Sequence, residues 1–405
     1  MRVAIVHDWL YTLGGAERVL RSILRCYPGA DVFTLFDVLP PADRAWIGYD
    51  RSITSFMQRL PGISRRHRAY LPLMPLAIEQ LDLSPYDLVI SSSYAVAKGI
   101  LTGPDQVHVS YVHSPMRYAW DLQHQYLRES KLNGGLRGAV ARLILHYMRI
   151  WDTRTAPGVT AFIANSAFIA RRIGKAYGRE AEVIYPPVDV PAQSPKWQRG
   201  SHFLVASRLV AYKNVRAVVE AFAALPDQQL IVAGTGPEEA RLRAIAGPNV
   251  TFAGFVTDAE LRKLMGTSRA FIFAGEEDFG IIPVEAQGEG APVLALGRGG
   301  ARETIVVDGP ARTGMFFDDA EPGTIAVTIR DFLAAGDVFH ADDCHAQALR
   351  FTTTLFERRF SAFVQAEMDR MKQELDRTRA RAPDRRAAVR PIPITQGAAK
   401  ARAVV

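Results

Sequence analysis

The sequence predicts an α/β protein of two domains, each built around a parallel sheet. Short apolar runs that suit buried strands alternate with segments of helical apolar spacing along most of the chain. Glycines and charged side chains follow several of these runs, as expected where parallel strands end at a ligand cleft. A proline-rich stretch, 186–195, interrupts the alternation near the middle of the 405 residues, a length that exceeds one ordinary core.

The first domain is predicted to contain six strands. They are Arg2–His7, Asp31–Phe36, Tyr86–Ser91, Gln106–Val112, Thr160–Asn165 and Ala181–Tyr185. Gly14 and Gly15 follow the first strand and precede a helical pattern, and a strand, a glycine loop and a helix form a unit that lets backbone approach phosphate. This loop lacks the G-x-G-x-x-G fingerprint, which argues against a nicotinamide enzyme. We expect a helix at 136–151 and another at 167–177, the second capped by Ser166.

The second domain is predicted from a similar series. Its strands are a run beginning at Ser201, then Gln229–Ala233, Asn249–Phe252, Ala270–Ala274, Val293–Leu296 and Thr313–Phe317. Arg208 and Lys213 lie in the loop after the first of these runs. A bidentate guanidinium beside a point-charge ammonium suits a pyrophosphate group, so we expect an anionic ligand here.

The segment after the Ala270–Ala274 run contains the most informative pattern of the chain. Glu277 and Glu285 stand eight positions apart, with Gly280 between them and a helix predicted at 283–290. The turn falls at the carboxyl end of a strand, glycine allows close backbone approach, and a helix N-terminus attracts phosphate. We therefore expect ligand binding at this turn.

The formal net charge of +7 is located in one place. Residues 377–405 contain eight Lys or Arg and one acid, which gives 8 − 1 = +7, so the other 376 residues are formally neutral. The charge therefore does not predict nucleic-acid binding, and this tail is predicted to be disordered. Residues 51–76 combine arginines with large apolar side chains, which suits either a membrane surface or a helix pair packed on the sheet with exposed arginines.

Cysteine content and hydropathy indicate a cytoplasmic protein. Cys26 and Cys344 are the two cysteines and lie far apart in the chain, which fits a reducing compartment. The apolar run at the start ends at His7, so it is predicted to be a strand and not a signal peptide. No apolar run is long enough to predict a membrane-spanning helix. Contact with the cytoplasmic face of the inner membrane would then be peripheral.

These motifs together resemble the retaining nucleotide-sugar glycosyltransferases of family four. The resemblance rests on the Gly14-Gly15 loop, on Arg208 followed by Lys213, on the E-x7-E spacing of Glu277 and Glu285, and on the Gly-Gly-x-x-Glu turn that ends at Glu303. It implies the GT-B fold, in which two Rossmann-like domains face a cleft and a C-terminal helix crosses back to the N-terminal domain. The implied boundaries are 1–187 and 188–350 for the domains, 351–376 for the crossover helix and 377–405 for the tail.

The resemblance implies a role for each matching residue. Gly14 and Gly15 match the loop that faces the donor diphosphate across the cleft. Arg208 and Lys213 match the pair that binds the diphosphate and steadies the leaving group. His113 follows the Gln106–Val112 strand and matches a histidine that is placed against the transferred sugar.

The two carboxylates match residues that hold the donor. Glu277 resembles the residue that binds sugar hydroxyls, and Glu285 resembles the one that binds the ribose. Backbone N–H groups would meet the sugar and phosphate at Phe279, Gly280, Ile281 and Ile282. The residues expected to be catalytic are His113, Glu277, Arg208 and Lys213.

The resemblance extends to substrates. It is closest to mannosyltransferases of bacterial surface-polysaccharide assembly, which implies GDP-mannose as donor and a lipid-linked saccharide as acceptor. UDP-glucose or another UDP-sugar is an alternative donor, and a non-catalytic nucleotide-sugar-binding subunit or a nucleotide-sugar isomerase are alternatives from other classes. The DxD metal motif of other glycosyltransferases is not evident, so no metal and no other cofactor is expected.

Overall fold

A computed structural model describes residues 1–381 of the protein. It consists of two parallel sheets with helices on both faces, in agreement with the predicted fold class. In the described part of the chain, no helix is both long enough and apolar enough to cross a membrane.

The N-terminal domain contains a seven-stranded parallel sheet in the order β3-β2-β1-β4-β5-β6-β7. Its strands are β1 (Val3–His7), β2 (Asp31–Thr34), β3 (Ser52–Thr54), β4 (Leu88–Ser93), β5 (Val107–Val112), β6 (Ala161–Ala164) and β7 (Glu182–Val183). Its helices are α1 (Gly15–Cys26), α2 (Pro41–Ile47), α3 (Ile63–Arg66), α4 (Met74–Glu79), α5 (Gln123–Glu129), α6 (Gly135–Thr155) and α7 (Ala167–Tyr177). Strand β3 was not predicted, because three residues are too few for a clear alternation.

The C-terminal domain contains a six-stranded parallel sheet in the order β10-β9-β8-β11-β12-β13. Its strands are β8 (His202–Ala206), β9 (Gln229–Ala233), β10 (Val250–Gly254), β11 (Ala270–Phe273), β12 (Val293–Leu296) and β13 (Gly314–Phe317). The helices that follow are α8 (Val215–Ala223), α9 (Glu239–Ile245), α10 (Asp258–Thr267), α11 (Ile281–Gly288), α12 (Ala301–Thr304), α13 (Pro322–Ala335), α14 (Ala341–Ala348) and α15 (Thr353–Arg381).

In each sheet the strand order reverses beside its first strand, between β1 and β4 and between β8 and β11. Ligands of open parallel sheets bind at the carboxyl ends of the strands beside such a reversal. The glycine loop follows β1, the Arg208 loop follows β8, and Glu277 follows β11. Topology therefore brings these predicted residues to the two reversal points.

The sheets are buried on both faces, which explains their continuous apolar runs. Successive residues of β1 show this: Ile5 packs into the core beneath α1, while Ala4 and Val6 face a second core on the opposite side of the sheet. The C-terminal sheet is divided in the same way between two apolar clusters.

Helix α15 packs on the N-terminal domain although it follows the C-terminal domain in sequence. Phe356 and Phe360 are buried in the same core as Ile5, and both rings contact the ring of Tyr111 on β5. The chain passes between the domains a first time near Val188, whose N–H donates to the carbonyl of Phe351 at 2.9 Å.

Residues 51–76 form strand β3 followed by short helical turns, and not the pair of regular helices that was one of the two expectations. Met57, Ile63 and Met74 are buried in the N-terminal core, which anchors the segment on the sheet. Its arginines are exposed: Arg51, Arg59, Arg65, Arg66 and Arg68.

The predicted crossover helix and tail have different limits in the structure. Helix α15 continues to Arg381 and so includes the first residues of the predicted 377–405 tail. The rest of that tail lies outside the described residues, and its disorder stays a prediction.

Candidate active site

The loops at the carboxyl ends of the two sheets meet across a cleft. A Cβ atom on Gly15 would lie 3.0 Å from the Cδ1 atom of Ile281, so the glycine loop of the first domain faces the start of α11 in the second. Gly14 is the N-cap of α1 in extended conformation. Side chains larger than hydrogen at this point would occupy the space between the loop and α11.

The segment between β11 and α11 lines the cleft on the C-terminal side. Gly280 adopts a left-handed backbone conformation with φ of +83° and is the N-cap of α11. The helix therefore starts at Ile281, two residues before the predicted start at Pro283. Its first turn includes Ile282, and the N–H groups of a first helical turn lack partners within the helix. These donors and the helix dipole favour an anion at this position.

Phe279 contributes its backbone but not its side chain to the cleft. Its ring is 3% exposed and packs against the rings of Tyr185 and Phe351, at centroid distances of 5.6 Å and 5.4 Å. The side chain thus belongs to the apolar cluster where the two domains join, which leaves the predicted backbone contact as its remaining role.

Gly299 and Gly300 support this segment from behind. A Cβ on Gly299 would lie 2.3 Å from the carbonyl oxygen of Glu277, and a Cβ on Gly300 would lie 2.3 Å from the Cα of Phe279. The N–H of Gly300 donates to the carbonyl of Glu277 at 2.9 Å. Only glycine allows this backbone approach, so the Gly-Gly pair sets the position of the carboxylate segment.

Lys213 and Glu277 form an ion pair at the centre of the cleft. Both side chains are largely buried, and Arg208 lies nearby on the same loop with an exposed side chain. Burial and the guanidinium groups of Arg117 and Arg208 lower the pKa of Lys213 to about 8. The Glu277 carboxylate acts in the opposite direction because it stabilises the ammonium form. The arrangement concentrates positive charge next to the Glu277 carboxylate.

Glu285 pairs with an arginine of the other domain. The Arg18 guanidinium donates to its Oε1, which links α1 to α11 across the cleft. Burial opposes the charged form of Arg18, while Glu285 raises its pKa. A small cavity of about 40 Å³ lies beside this pair, and Asp189 and Asp258 also line it.

His113 is the terminal group of a chain of buried polar side chains. Its Nε2 lies 2.8 Å from the Oγ of Ser92, which lies 3.0 Å from the Nδ1 of His7. The Nε2 of His7 is 3.4 Å from a carboxylate oxygen of Glu17, the third residue of α1. Burial and the neighbouring His7 lower the pKa of His113 to about 3, so its imidazole is neutral near pH 7.

Asp278 joins the two domains on the other side of Glu277. Arg117 donates to its Oδ2, and Arg172 donates to its Oδ1 at 3.1 Å. The hydroxyl of Ser166 donates to the Asp278 carbonyl at 2.6 Å and accepts from the N–H of Ile169, so it also caps α7 as predicted.

Glu303 binds the N-terminus of α7 from the opposite domain. Its two carboxylate oxygens accept from the N–H groups of Ala167 and Phe168, at 2.7 Å and 2.8 Å. A carboxylate at this position satisfies donors that the helix leaves free and interacts favourably with its dipole. The turn that contains Gly299, Gly300 and Glu303 thus combines close packing with an interdomain contact.

Sequence reasoning missed several residues that complete the site. They are Arg18, Ser92, Arg117, Arg172 and Asp278. Two signals were available, because Arg18 follows the glycine loop and Asp278 lies directly beside Glu277. In the described residues 1–381 no cluster of three or more His, Cys, Asp or Glu side chains is suited to hold a metal ion. Metal independence stays a prediction.

Two family models match this chain in succession. Residues 13–191 match the model described as Glycosyltransferase Family 4, and residues 191–347 match Glycosyl transferases group 1. The two matches meet at residue 191, next to the passage between the domains. The chain belongs to glycosyltransferase family 4.

Curated and solved relatives agree with this assignment. The glycosyltransferase is 30% identical over 142 residues to a GDP-mannose-dependent monoacylated alpha-(1-6)-phosphatidylinositol monomannoside mannosyltransferase of Corynebacterium glutamicum. The match covers 31% of this chain and 36% of that relative, so it spans about a third of the relative's length.

The fold of the glycosyltransferase matches solved GT-B structures along most of the chain. Anabaena HepE in complex with UDP aligns with a TM-score of 0.64 at 19% identity, over 90% of this chain and all of that one. Its complex with UDP-glucose aligns with a TM-score of 0.62 at 20% identity and the same coverage. The GT-B fold predicted from the sequence is therefore confirmed.

Proposed function

We propose that this glycosyltransferase transfers mannose from GDP-mannose to a lipid-linked saccharide acceptor, with retention at the anomeric carbon, in exopolysaccharide or O-antigen synthesis. The observation that carries the transfer reaction is the arrangement at the cleft, where Lys213 contacts Glu277 and Arg208 lies beside them. Cations and carboxylates at the carboxyl ends of adjacent strands suit a ligand that has both a diphosphate and sugar hydroxyls.

Departure of the nucleoside diphosphate requires that its developing charge be neutralised. Arg208 and Lys213 would supply the cations, and the start of α11 would supply N–H donors and a positive dipole end. The Gly14-Gly15 loop, which faces α11, would shield the bound diphosphate from water. These groups can perform the work that a divalent metal performs in other transferases.

The two carboxylates would hold the two ends of the donor. In this proposal Glu285 accepts hydrogen bonds from the ribose, and Glu277 accepts them from the sugar. In the structure Arg18 pairs with Glu285, and Lys213 pairs with Glu277. Each pair neutralises a carboxylate, and in this proposal both cations would contact the diphosphate once the donor binds.

Retention needs no protein nucleophile in this arrangement. The acceptor hydroxyl approaches from the side of the departing phosphate, and a phosphate oxygen accepts its proton. The neutral imidazole of His113 would hydrogen-bond a sugar hydroxyl and, being uncharged, would not repel the cationic centre that forms in the transition state.

The choice of GDP-mannose is supported by sequence likeness. The Corynebacterium relative is named as GDP-mannose-dependent and acts on a phosphatidylinositol-linked mannoside. The fold relative with bound UDP-glucose favours a UDP-sugar as the second candidate. A lipid-linked saccharide acceptor accords with the first relative and with polysaccharide assembly.

A thermal-shift and calorimetric panel of nucleotides and nucleotide sugars, without added metal, tests the donor. A ligand at about 100 times its Kd should stabilise the folded protein by about 2.7 kcal/mol. We expect GDP and GDP-mannose to bind, and the Arg208→Ala variant to bind both at least about tenfold more weakly because a diphosphate contact is lost.

The matched control is Arg216→Ala on the adjacent helix α8, where the arginine forms an exposed pair with Glu220. It should bind GDP like the unmodified protein. If only uridine nucleotides bind, the donor is a UDP-sugar and not GDP-mannose. If no nucleotide binds, the proposed donor site is wrong. Loss of turnover in Glu277→Gln with nucleotide binding retained would exclude a non-catalytic subunit.

A further inference from the structure

Helix α6 exposes a row of large apolar side chains on the surface of the N-terminal domain. The row, called the α6 stripe here, consists of Leu136 (82% exposed), Val140 (48%), Leu143 (68%), Tyr147 (44%) and Ile150 (57%). Their spacing alternates between four and three residues, which places all five along one side of the helix.

The other side of the same helix is also apolar. Leu145, Met148 and Trp151 are buried and pack into the core of the N-terminal domain. A surface helix in water ordinarily has one apolar side and one polar side, whereas α6 is apolar on both. A contiguous exposed row of this kind marks an interaction surface.

Positive charge surrounds the α6 stripe. Arg137 and Arg142 are exposed on this helix, and Arg154 near its end is exposed but pairs with Glu79 of α4. The one acidic residue of the helix, Asp152, is fully buried and is neutralised by Lys98 at 2.9 Å. The exposed surface of α6 therefore combines apolar and cationic groups without an exposed carboxylate on this helix.

This charge pattern distinguishes between the possible occupants of the stripe. A second copy of the chain packed helix to helix would bring two sets of arginines together, which is unfavourable. Anionic lipid offers both an apolar boundary layer and negative headgroups to the flanking cations. We propose that the α6 stripe docks the protein on an anionic membrane surface.

A neighbouring helix enlarges the same region. The Nε1 of Trp151 and the guanidinium of Arg154 donate to Glu79 at 2.7 Å and 3.0 Å, which ties the end of α6 to α4. Helix α4 exposes Leu76, and the exposed arginines of residues 51–76 precede it. Docking through α6 would hold the N-terminal domain, the expected acceptor side, at the lipid surface.

Vesicle co-sedimentation of the full chain tests this proposal. The vesicles are phosphatidylcholine alone or phosphatidylcholine mixed with phosphatidylglycerol, each at low and at high salt. We expect binding to the mixed vesicles, a weaker interaction at high salt, and at least about a tenfold loss in the double variant Leu143→Asp with Ile150→Asp, since charged side chains on the docking row oppose insertion.

The matched control is Val327→Asp on α13 of the other domain, where the valine is 52% exposed. It should bind vesicles like the unmodified protein. Unchanged vesicle binding by the double variant would overturn the proposal, as it would assign the interaction to another cationic segment such as residues 382–405. A dimer in sedimentation velocity that the double variant abolishes would instead assign the stripe to a second copy.

Nucleotide binding separates this proposal from the proposed function. The double variant should give the same thermal shift with nucleotide as the unmodified protein, because α6 lies outside the donor cleft. A folded double variant that retains nucleotide binding and loses vesicle binding supports the docking surface, whichever nucleotide the protein uses.

Discussion

At the scale of single residues, the site depends on oppositely charged side chains that pair in the cleft. Glu277 contacts Lys213, and Glu285 contacts Arg18 from the other domain. His113 differs, because its ring contacts the neutral hydroxyl of Ser92, which in turn contacts the buried His7. Because the Ser92 hydroxyl contacts the His113 ring, substitution of Ser92 should show how much the orientation of the imidazole contributes to activity, apart from its effect on folding.

We expect Ser92→Ala to lower kcat about tenfold with a smaller effect on the KM for donor, because His113 loses the group that fixes its ring. The loss of one buried hydrogen bond should cost about 1 kcal/mol of stability. Steady-state kinetics and chemical denaturation measure the two effects.

Ser91→Ala is the control, since Ser91 lies next to it on β4 and bonds the buried His108 at 2.9 Å. It should lose similar stability and retain kcat. Ser92→Thr, which keeps a hydroxyl, should restore much of the activity. Equal losses of kcat in the two alanine variants would contradict a positioning role.

At the scale of elements, the carboxylate segment owes its position to the glycines behind it. Gly299 and Gly300 allow the chain after β12 to contact the backbone of Glu277 and Phe279. Gly280 then permits the left-handed turn that starts α11. The end of β11, the close packing of the Gly299-Gly300 pair and the start of α11 together fix the positions of Glu277 and Glu285.

Gly300→Ala should therefore destabilise the protein by about 1–3 kcal/mol, because its Cβ would overlap the backbone of Phe279. Nucleotide binding should weaken as well, since the Glu277 segment must move. Thermal unfolding with and without nucleotide measures both. Gly323→Ala on α13 is the control: no atom lies within 4 Å of its Cβ position, so the fold should be unaffected or slightly stabilised.

An element could be predicted from the sequence when its pattern lies within one continuous segment of the chain. Apolar runs marked six of the seven N-terminal strands, and the runs before Arg208 and Glu277 were enough to place these two residues after strands. The start of α11 was misjudged by two residues, because Pro283 suggested a first helical turn that the backbone of Gly280 begins earlier.

The residues that sequence reasoning missed have distant partners. Arg117 and Asp278 are 161 positions apart, and Arg172 and Asp278 are 106 apart. Either side chain alone is consistent with a solvated surface. Such pairs exist only once two domains have taken a particular orientation, which no local pattern encodes.

At the scale of the whole molecule, contacts of the C-terminal domain hold the N-terminal domain on both sides of Glu277. Asp278 binds Arg117 and Arg172, and Glu303 binds the start of α7. These bonds involve charged groups and few apolar ones, so they can open in water at moderate cost. They contribute to the relative orientation of the two sheets.

Glu303→Gln should shift the ligand-free protein toward more open domain arrangements, because a charge-assisted contact to two helix donors is weakened. Small-angle scattering should then give a larger radius of gyration than for the unmodified protein, and saturating donor should reduce the difference. Glu239→Gln, which alters a carboxylate in a pair within α9, should leave the radius unchanged. An unchanged radius in Glu303→Gln would show that other contacts hold the domains.

The two passages of the chain between the domains lie side by side. Val188 and Thr352 pair as a parallel bridge, and the second passage continues directly into α15, which is anchored in the N-terminal core. A single connecting segment would allow the domains to rotate about more than one axis. Two adjacent connecting segments restrict this rotation to one axis. We therefore expect any opening of the domains to follow this axis, so that closure returns Gly15 to its position opposite Ile281.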